Sequence, residues 1–351
     1  MKLTSSSSVS LDLIRAISAQ LVFVGHLLSF YQIYGGNPND FLMQQLGVLV
    51  FFMLSGFLIS YSISNKTEDY TYKEFVIDRF ARIFIAFIPA LFVIAGLDLL
   101  SNKLYGSAIE NMDVRTFIGN VLMLQDFPHQ SKLLIFGIQW DNITSLGTGR
   151  PLWTVAIEWW IYLFFGFVML KKRPYNVLSI LAFCFLLYVP IDNVFGKGDG
   201  LSIVWFTGAL IFYLLKRNFL GQPKETGVVI FVLLVACASR LYFNNHDFYD
   251  TGFGFLLVTI LFLSLVRTQS RPISILLKFR SPVNTLAAYS FSLYLLHYTI
   301  IVFVMNMKLG MNKWAEMALI FIGGNILSYL FAQVTEYKYN QFRIFLKAKM
   351  L

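Results

Sequence analysis

Charge is scarce in this chain: only 13% of its 351 residues are Asp, Glu, Lys or Arg, whereas 57% are apolar. That leaves too little polar surface to cover a soluble globule of this length, and the mean hydropathy of +0.65 excludes that class. Cysteine is nearly missing as well. Cys184 and Cys237 lie in separate apolar segments without polar ligands around them, so neither a disulfide framework nor a metal centre is expected, and both read as core residues. The first apolar run lacks the small-residue cleavage pattern of a signal peptide and is long enough to span, so it is expected to remain as the first helix. No repeat of fixed period is visible.

Long apolar runs are abundant. Ten segments approach spanning length, near residues 10–32, 42–64, 80–100, 152–170, 175–191, 200–215, 226–243, 251–267, 285–306 and 314–337. The expectation is an all-α, polytopic transmembrane bundle of about ten spanning helices, with residues 1–351 forming one integral-membrane domain and no appended soluble domain. Pro89 falls inside the third segment, where neighbouring helices can satisfy the freed carbonyl. An even number of spans puts both termini on one side. The positive-inside rule makes that side the cytoplasm, because it gathers Lys171, Lys172, Arg173, Lys216, Arg217, the stretch from Arg267 to Arg280, and the tail from Lys338 to Lys349 there. The net charge of +9 is then mostly this topological signal plus attraction to anionic membrane lipid, and requires no nucleic acid. The long stretch near 101–150 carries FIGNVLMLQDF, too short to span and readable as an outer-face or re-entrant helix. The Ser5 to Ser8 run reads as a flexible lead into Ser10 as a helix cap.

Few polar residues interrupt the apolar runs, and each such residue is costly in lipid unless it faces protein or water. Arg15 and His26 share one stripe of the first segment: eleven residues at about 100° each bring them within roughly 20° of one another, about 16 Å apart along the axis. Asp12, one turn before Arg15, can partly neutralise it. In GVLVFFMLSGFLIS, Ser55 and Gly56 allow close backbone approach. Arg79 and Arg82, in DRFARI, lie three residues apart on one face at a membrane entrance. They can grip a phosphate, pair with Asp78 or Glu74, or anchor the helix to headgroups. RPLWTVAIEWWIY places Trp153, Glu158 and Tyr162 at the start of the fourth segment, and SFSLYLLHY places Tyr294 and His297 in the ninth. On the chosen topology Glu158 lies about 10 Å below the outer surface, His26 and His297 lie in the outer half, and Arg15 falls nearer the cytoplasm.

Taken in order, LDLIRAISAQLVFVGH, GVLVFFMLSGFLI, DRFARI, WTVAIEWWIY and YSFSLYLLHY resemble the motifs of the membrane acyltransferase-3 family, bacterial O-acyltransferases of cell-surface carbohydrates. The resemblance covers almost the whole chain, with one departure: Trp159, Trp160, Ile161 and Tyr162 stand where family members often have Phe-Tyr. The resemblance implies a multi-pass protein of the bacterial inner membrane that transfers an acyl group, most often acetyl from acetyl-CoA, to a hydroxyl of an exported or lipid-linked glycan such as a polysaccharide or lipopolysaccharide. Acyl-CoA is the implied donor substrate and a carbohydrate the acceptor, with no metal. On that reading Arg79 and Arg82 suit the donor phosphates. Arg15 holds pantetheine polar groups or polarises the thioester carbonyl. His26 is the general base and Glu158 orients or charge-balances it. His297, with Trp153, Tyr162 and Tyr294, binds acceptor or joins a proton relay. No elbow motif exposes a nucleophile, so direct transfer is the default. Donor and acceptor would meet from opposite faces through a cavity along Arg15, Ala19, Val22 and His26, with Ser55 and Gly56 leaving room beside it. The competing class is a secondary transporter or flippase for a glycan or acylated intermediate, with the same residues as a substrate and proton pathway; an inverted repeat would favour it, and none is visible. A non-catalytic membrane scaffold accounts poorly for so many ionisable residues.

Overall fold

The computed structural model describes residues 5–33, 42–108, 110–125, 143–171, 176–195, 200–219, 223–243, 250–267 and 277–351. Among these residues the regular structure is entirely helical: α1 (Ser5–Phe30), α2 (Leu42–Ser64), α3 (Tyr72–Tyr105), α4 (Val114–Val121), α5 (Leu152–Leu170), α6 (Val177–Phe195), α7 (Leu201–Lys216), α8 (Pro223–Phe243), α9 (Thr251–Arg267), α10 (Arg280–Ala288), α11 (Ser290–Asn306), α12 (Lys313–Val334), a 3₁₀ turn (Glu336–Lys338) and α13 (Tyr339–Met350). Nine of the ten apolar segments fall mainly on single helices, and the ninth in order, 285–306, is divided between α10 and α11. By length and composition, six described stretches can cross a membrane, or seven if α10 and α11, bent by 56° at their junction, count as one. Shorter apolar stretches lie in α6, α7 and α9.

Three local expectations change. Ser10 does not cap α1, because Ser5 to Val9 are already helical; Val9 and Leu11 are buried, and packing them draws the serine run into the helix. FIGNVLMLQDF contributes only the end of the two-turn α4, and its last two residues lie outside the described residues. Cys184 is exposed on α6 beside exposed Phe183 and Phe185, so it belongs to an outward apolar face rather than a core. Cys237 is buried with Phe253 and Ile260, as expected. Lys172 and Arg173 lie outside the described residues, as does most of the stretch from Arg267 to Arg280.

The chain divides into two compact units. The first takes residues up to Lys66 together with Ile203–Ser290. Its core is a close stack built on glycine. A Cβ at Gly47 would stand 2.6 Å from Val22 Cγ2 and 2.7 Å from the Ser18 carbonyl, so α1 and α2 touch almost backbone to backbone. Gly56 and Gly208 do the same between α2 and α7, meeting the carbonyls of Trp205 and Met53. Phe57 then makes edge contacts with Phe212 and Phe262. Asp250, ahead of α9, takes a two-pronged grip from Arg240 of α8 at 2.8 and 2.9 Å.

The second unit holds Thr67–Ser202 and Phe291–Leu351. Its spine is α3, which opens with a capping box in which Thr71 and Glu74 satisfy each other's backbone N–H groups. It closes at Gly106, whose φ of +67° permits the left-handed cap. Pro89 sits within α3 as expected. α5 and α13 pack against α3, and α6 packs against α5.

Candidate functional site

The residues singled out in the sequence fall in both units. Arg15 and His26 belong to the first, on α1. Both are half-buried, and Arg15 Nη1 lies 3.8 Å from Asp12 Oδ1, the neutralising contact expected one turn away. The room expected beside that stripe is filled. Ala19 and Val22 are buried, Val22 lies against Gly47, the Trp205 carbonyl occupies the space at Gly56, and Trp205 Nε1 donates to Ser55 Oγ at 3.1 Å. The small residues of α2 serve helix packing, and the corridor expected along Ala19 and Val22 is not formed by them.

In the second unit, α5 and α11 bring together the Trp–Glu block and the late His block. Glu158 Oε1 accepts a hydrogen bond from Tyr162 at 2.6 Å, one turn further along α5. One turn before Glu158, the Thr154 hydroxyl donates to the Pro151 carbonyl at 2.9 Å and meets the Tyr294 hydroxyl at 2.5 Å. Tyr294 also lies 3.4 Å from the Pro151 carbonyl and within electrostatic reach of Glu158. Its ring is 5.9 Å from that of His297. His297 is fully buried, with Nδ1 at 2.9 Å from the Tyr294 carbonyl and 3.1 Å from that of Leu293. Carbonyl oxygens only accept, so in the neutral ring Nδ1 carries the hydrogen and Nε2 is the acceptor. Trp153 stands half-buried in the first turn of α5.

A second polar network, absent from the sequence reading, holds the segment that leads into α5. Asp98, buried in α3, accepts from the Thr148 backbone N–H at 2.8 Å and from its hydroxyl at 2.7 Å, and that hydroxyl lies 2.9 Å from Thr299 of α11. Asn120 of α4 spans the same segment, donating to Thr144 and accepting from the Leu146 N–H. Asp98 carried a signal, since a lone acid within LDLL of a spanning segment is costly without a role. Thr148 and Thr299 carried none.

The arginine pair is divided in its contacts. Arg82 Nη2 lies 3.4 Å from Glu336 Oε2, and Glu336 is buried, accepting from Ser292 N and Oγ at 2.8 and 2.7 Å. Asp78 faces Lys347 at 2.9 Å and the Tyr70 hydroxyl at 2.8 Å. Burial first, and the Asp78 hydrogen bond next, push the Tyr70 phenol far above its ordinary pKa, keeping it a neutral donor. Arg79 lies over the Phe75 ring at 5.7 Å, and its buried Nε has no hydrogen-bond partner among the described residues. Neither arginine uses Glu74, which is held in the capping box.

Apolar helices of spanning length, with carboxyl, imidazole and hydroxyl groups gathered between α5 and α11, define a multi-pass membrane protein with an internal polar site. The chain belongs to the acyltransferase-3 family, whose acyltransferase-domain model matches residues 8–333. It is similar to the peptidoglycan O-acetyltransferase OatA of Listeria monocytogenes serovar 1/2a, 26% identical over 328 residues that cover 83% of this chain and 49% of that protein. It is also similar to the O-acetyltransferase OatA of Staphylococcus aureus strain NCTC 8325, 26% identical over 286 residues, 74% of this chain and 46% of that one. The chain thus spans about half the length of the curated relatives it matches. No solved structure matches it.

Proposed function

We propose that the chain is the membrane-embedded catalytic part of an O-acyltransferase that moves an acyl group, acetyl in the first instance, from cytoplasmic acyl-CoA to a hydroxyl of a cell-surface glycan, a peptidoglycan-like polymer or a lipid-linked precursor. The observation that carries this reading is the family match over nearly the whole chain. The clustering of Glu158, Thr154 and Tyr294 beside buried His297 supports it. The proposed arrangement is ten spans with both termini cytoplasmic in the bacterial inner membrane, α6, α7 and α9 being the short ones.

In the transfer, the acceptor oxygen attacks the thioester carbonyl and the carbon–sulfur bond breaks. The hydroxyl proton passes to a base and then to the departing thiolate. His26 is the proposed base, because a neutral imidazole accepts a proton near neutral pH. Arg15 faces the negative charge that develops on the thioester oxygen or holds the pantetheine arm. Glu158, fixed by Tyr162, is the carboxylate that balances positive charge during transfer. Tyr294, Trp153 and His297 hold the acceptor or relay its proton, and Arg79 and Arg82 take the donor phosphates.

The test is incubation of membranes containing the protein with radiolabelled acetyl-CoA and isolated glycan or lipid-linked precursor. Alkali-labile label on the carbohydrate is expected, absent with His26→Ala. Movement of glycan across vesicles with no ester formed would replace the enzyme reading with a transporter.

A further inference from the structure

We propose that α13 supplies the other half of the phosphate site to which the proposed function assigns Arg79 and Arg82, with Arg343 and Lys347 as further donor-binding residues. This rests on the donor reading of those arginines and adds a second element to it. Arg343 and Lys347 are four residues apart and so share one face of α13. That face lies on the first turns of α3: Arg82 stands 5.8 Å and Arg343 5.5 Å from the centre of the same Tyr339 ring, and Lys347 is 5.9 Å from the Tyr70 ring and ion-paired to Asp78. Arg82 and Arg343 thus share one aromatic ring, and Lys347 lies over Tyr70 one turn further along α13.

The nearby carboxylates are already committed. Asp78 serves Lys347 and Tyr70, Glu336 serves Arg82 and Ser292, and Glu74 is in the capping box. Arg79 and Arg343 have no carboxylate partner among the described residues, and the Arg79 Nε is buried without one. Two half-buried guanidinium groups that have no carboxylate partner among the described residues, on two packed helices, suit a ligand with more than one phosphate. A nucleotide diphosphate such as that of coenzyme A has this chemistry, and an anionic lipid headgroup shares part of it.

The test uses the purified 351-residue chain in nanodiscs of phosphatidylcholine alone, titrated with coenzyme A and, separately, inorganic pyrophosphate. Arg343→Ala is expected to weaken both about tenfold and to flatten the salt dependence, as loss of a solvent-screened charge-assisted contact would. Arg343→Lys should retain most of the affinity. Arg343→Gln replaces the alanine variant if that fails to yield monodisperse protein. Wild-type coenzyme A affinity in the Arg343 variants beside a loss in Arg79→Ala overturns this inference and leaves the donor reading standing. Pyrophosphate binding that depends on Arg343, with no coenzyme A binding by the wild type, would support the phosphate site while removing the donor reading. If dependence on Arg343 appears only when phosphatidylglycerol is added to the nanodiscs, the ligand is a lipid headgroup and the inference fails.

Discussion

Replacing Tyr294 with Phe removes one hydroxyl from the cluster between α5 and α11 and little else. The ring, buried beside His297, stays in place. The Thr154 hydroxyl, deprived of Tyr294, keeps its donation to the Pro151 carbonyl at 2.9 Å, so no buried donor is orphaned. The stability cost is therefore that of one neutral hydrogen bond, about 1 kcal/mol, whereas Tyr294→Ala would open a cavity worth roughly 3–5 kcal/mol. If the hydroxyl holds the acceptor or passes its proton, kcat/KM should fall about 10–100-fold, equivalent to roughly 1.4–2.7 kcal/mol of transition-state stabilisation. Thr154→Val removes the partner 2.5 Å away and should act through the same hydroxyl. The double variant should then be no worse than Tyr294→Phe alone, a coupling that independent sites would not show. Acetyl transfer rates and thermal unfolding in detergent on the four proteins supply the measurement. Tyr294→Phe with near wild-type kcat/KM, or strictly additive losses, would show that the pair is only a helix contact.

His26→Ala should lower transfer by about 10²–10⁴-fold, the usual worth of a general base, with expression and detergent stability near wild type; a variant keeping more than about a tenth of the activity would rule out the role. Arg79→Ala and Arg82→Ala should both weaken acetyl-CoA binding, but only Arg82→Ala should also lower thermal stability, by about 2 kcal/mol, because it takes the guanidinium from buried Glu336; equal stability of the two in thermal unfolding would contradict the Arg82–Glu336 pairing. Gly56→Ala places a methyl on the Trp205 carbonyl and should cost roughly 1–3 kcal/mol through forced separation of α2 and α7, read as a lowered unfolding temperature.

The sequence alone determined where the helices lie. Runs of apolar residues bounded by polar or glycine-containing stretches are a local property, and the expected spans 42–64, 152–170 and 251–267 coincide with α2, α5 and α9. It also determined the Asp12–Arg15 pair, because neighbours three residues apart meet on any helix; the same rule accounts for Glu158 with Tyr162, a pairing the sequence reading did not name. The start of α3 was less legible. Its first two turns are charged, and only the Thr71–Glu74 capping box marks them as helix, eight residues before the apolar run. Tertiary structure decided the remainder. Thr154 and Tyr294 are 140 positions apart and Asp98 and Thr148 are 50, so no periodicity links them. Whether Gly56 leaves a cavity or admits another helix depends on what packs there, and Trp205 does. Arg79 and Arg82 look equivalent three residues apart, yet burial of Glu336 beside Ser292 gives one a carboxylate and leaves the other over Phe75. Apolar surface can be counted from composition, but the partner of a polar group is fixed only when packing removes water and leaves it one neighbour to bond.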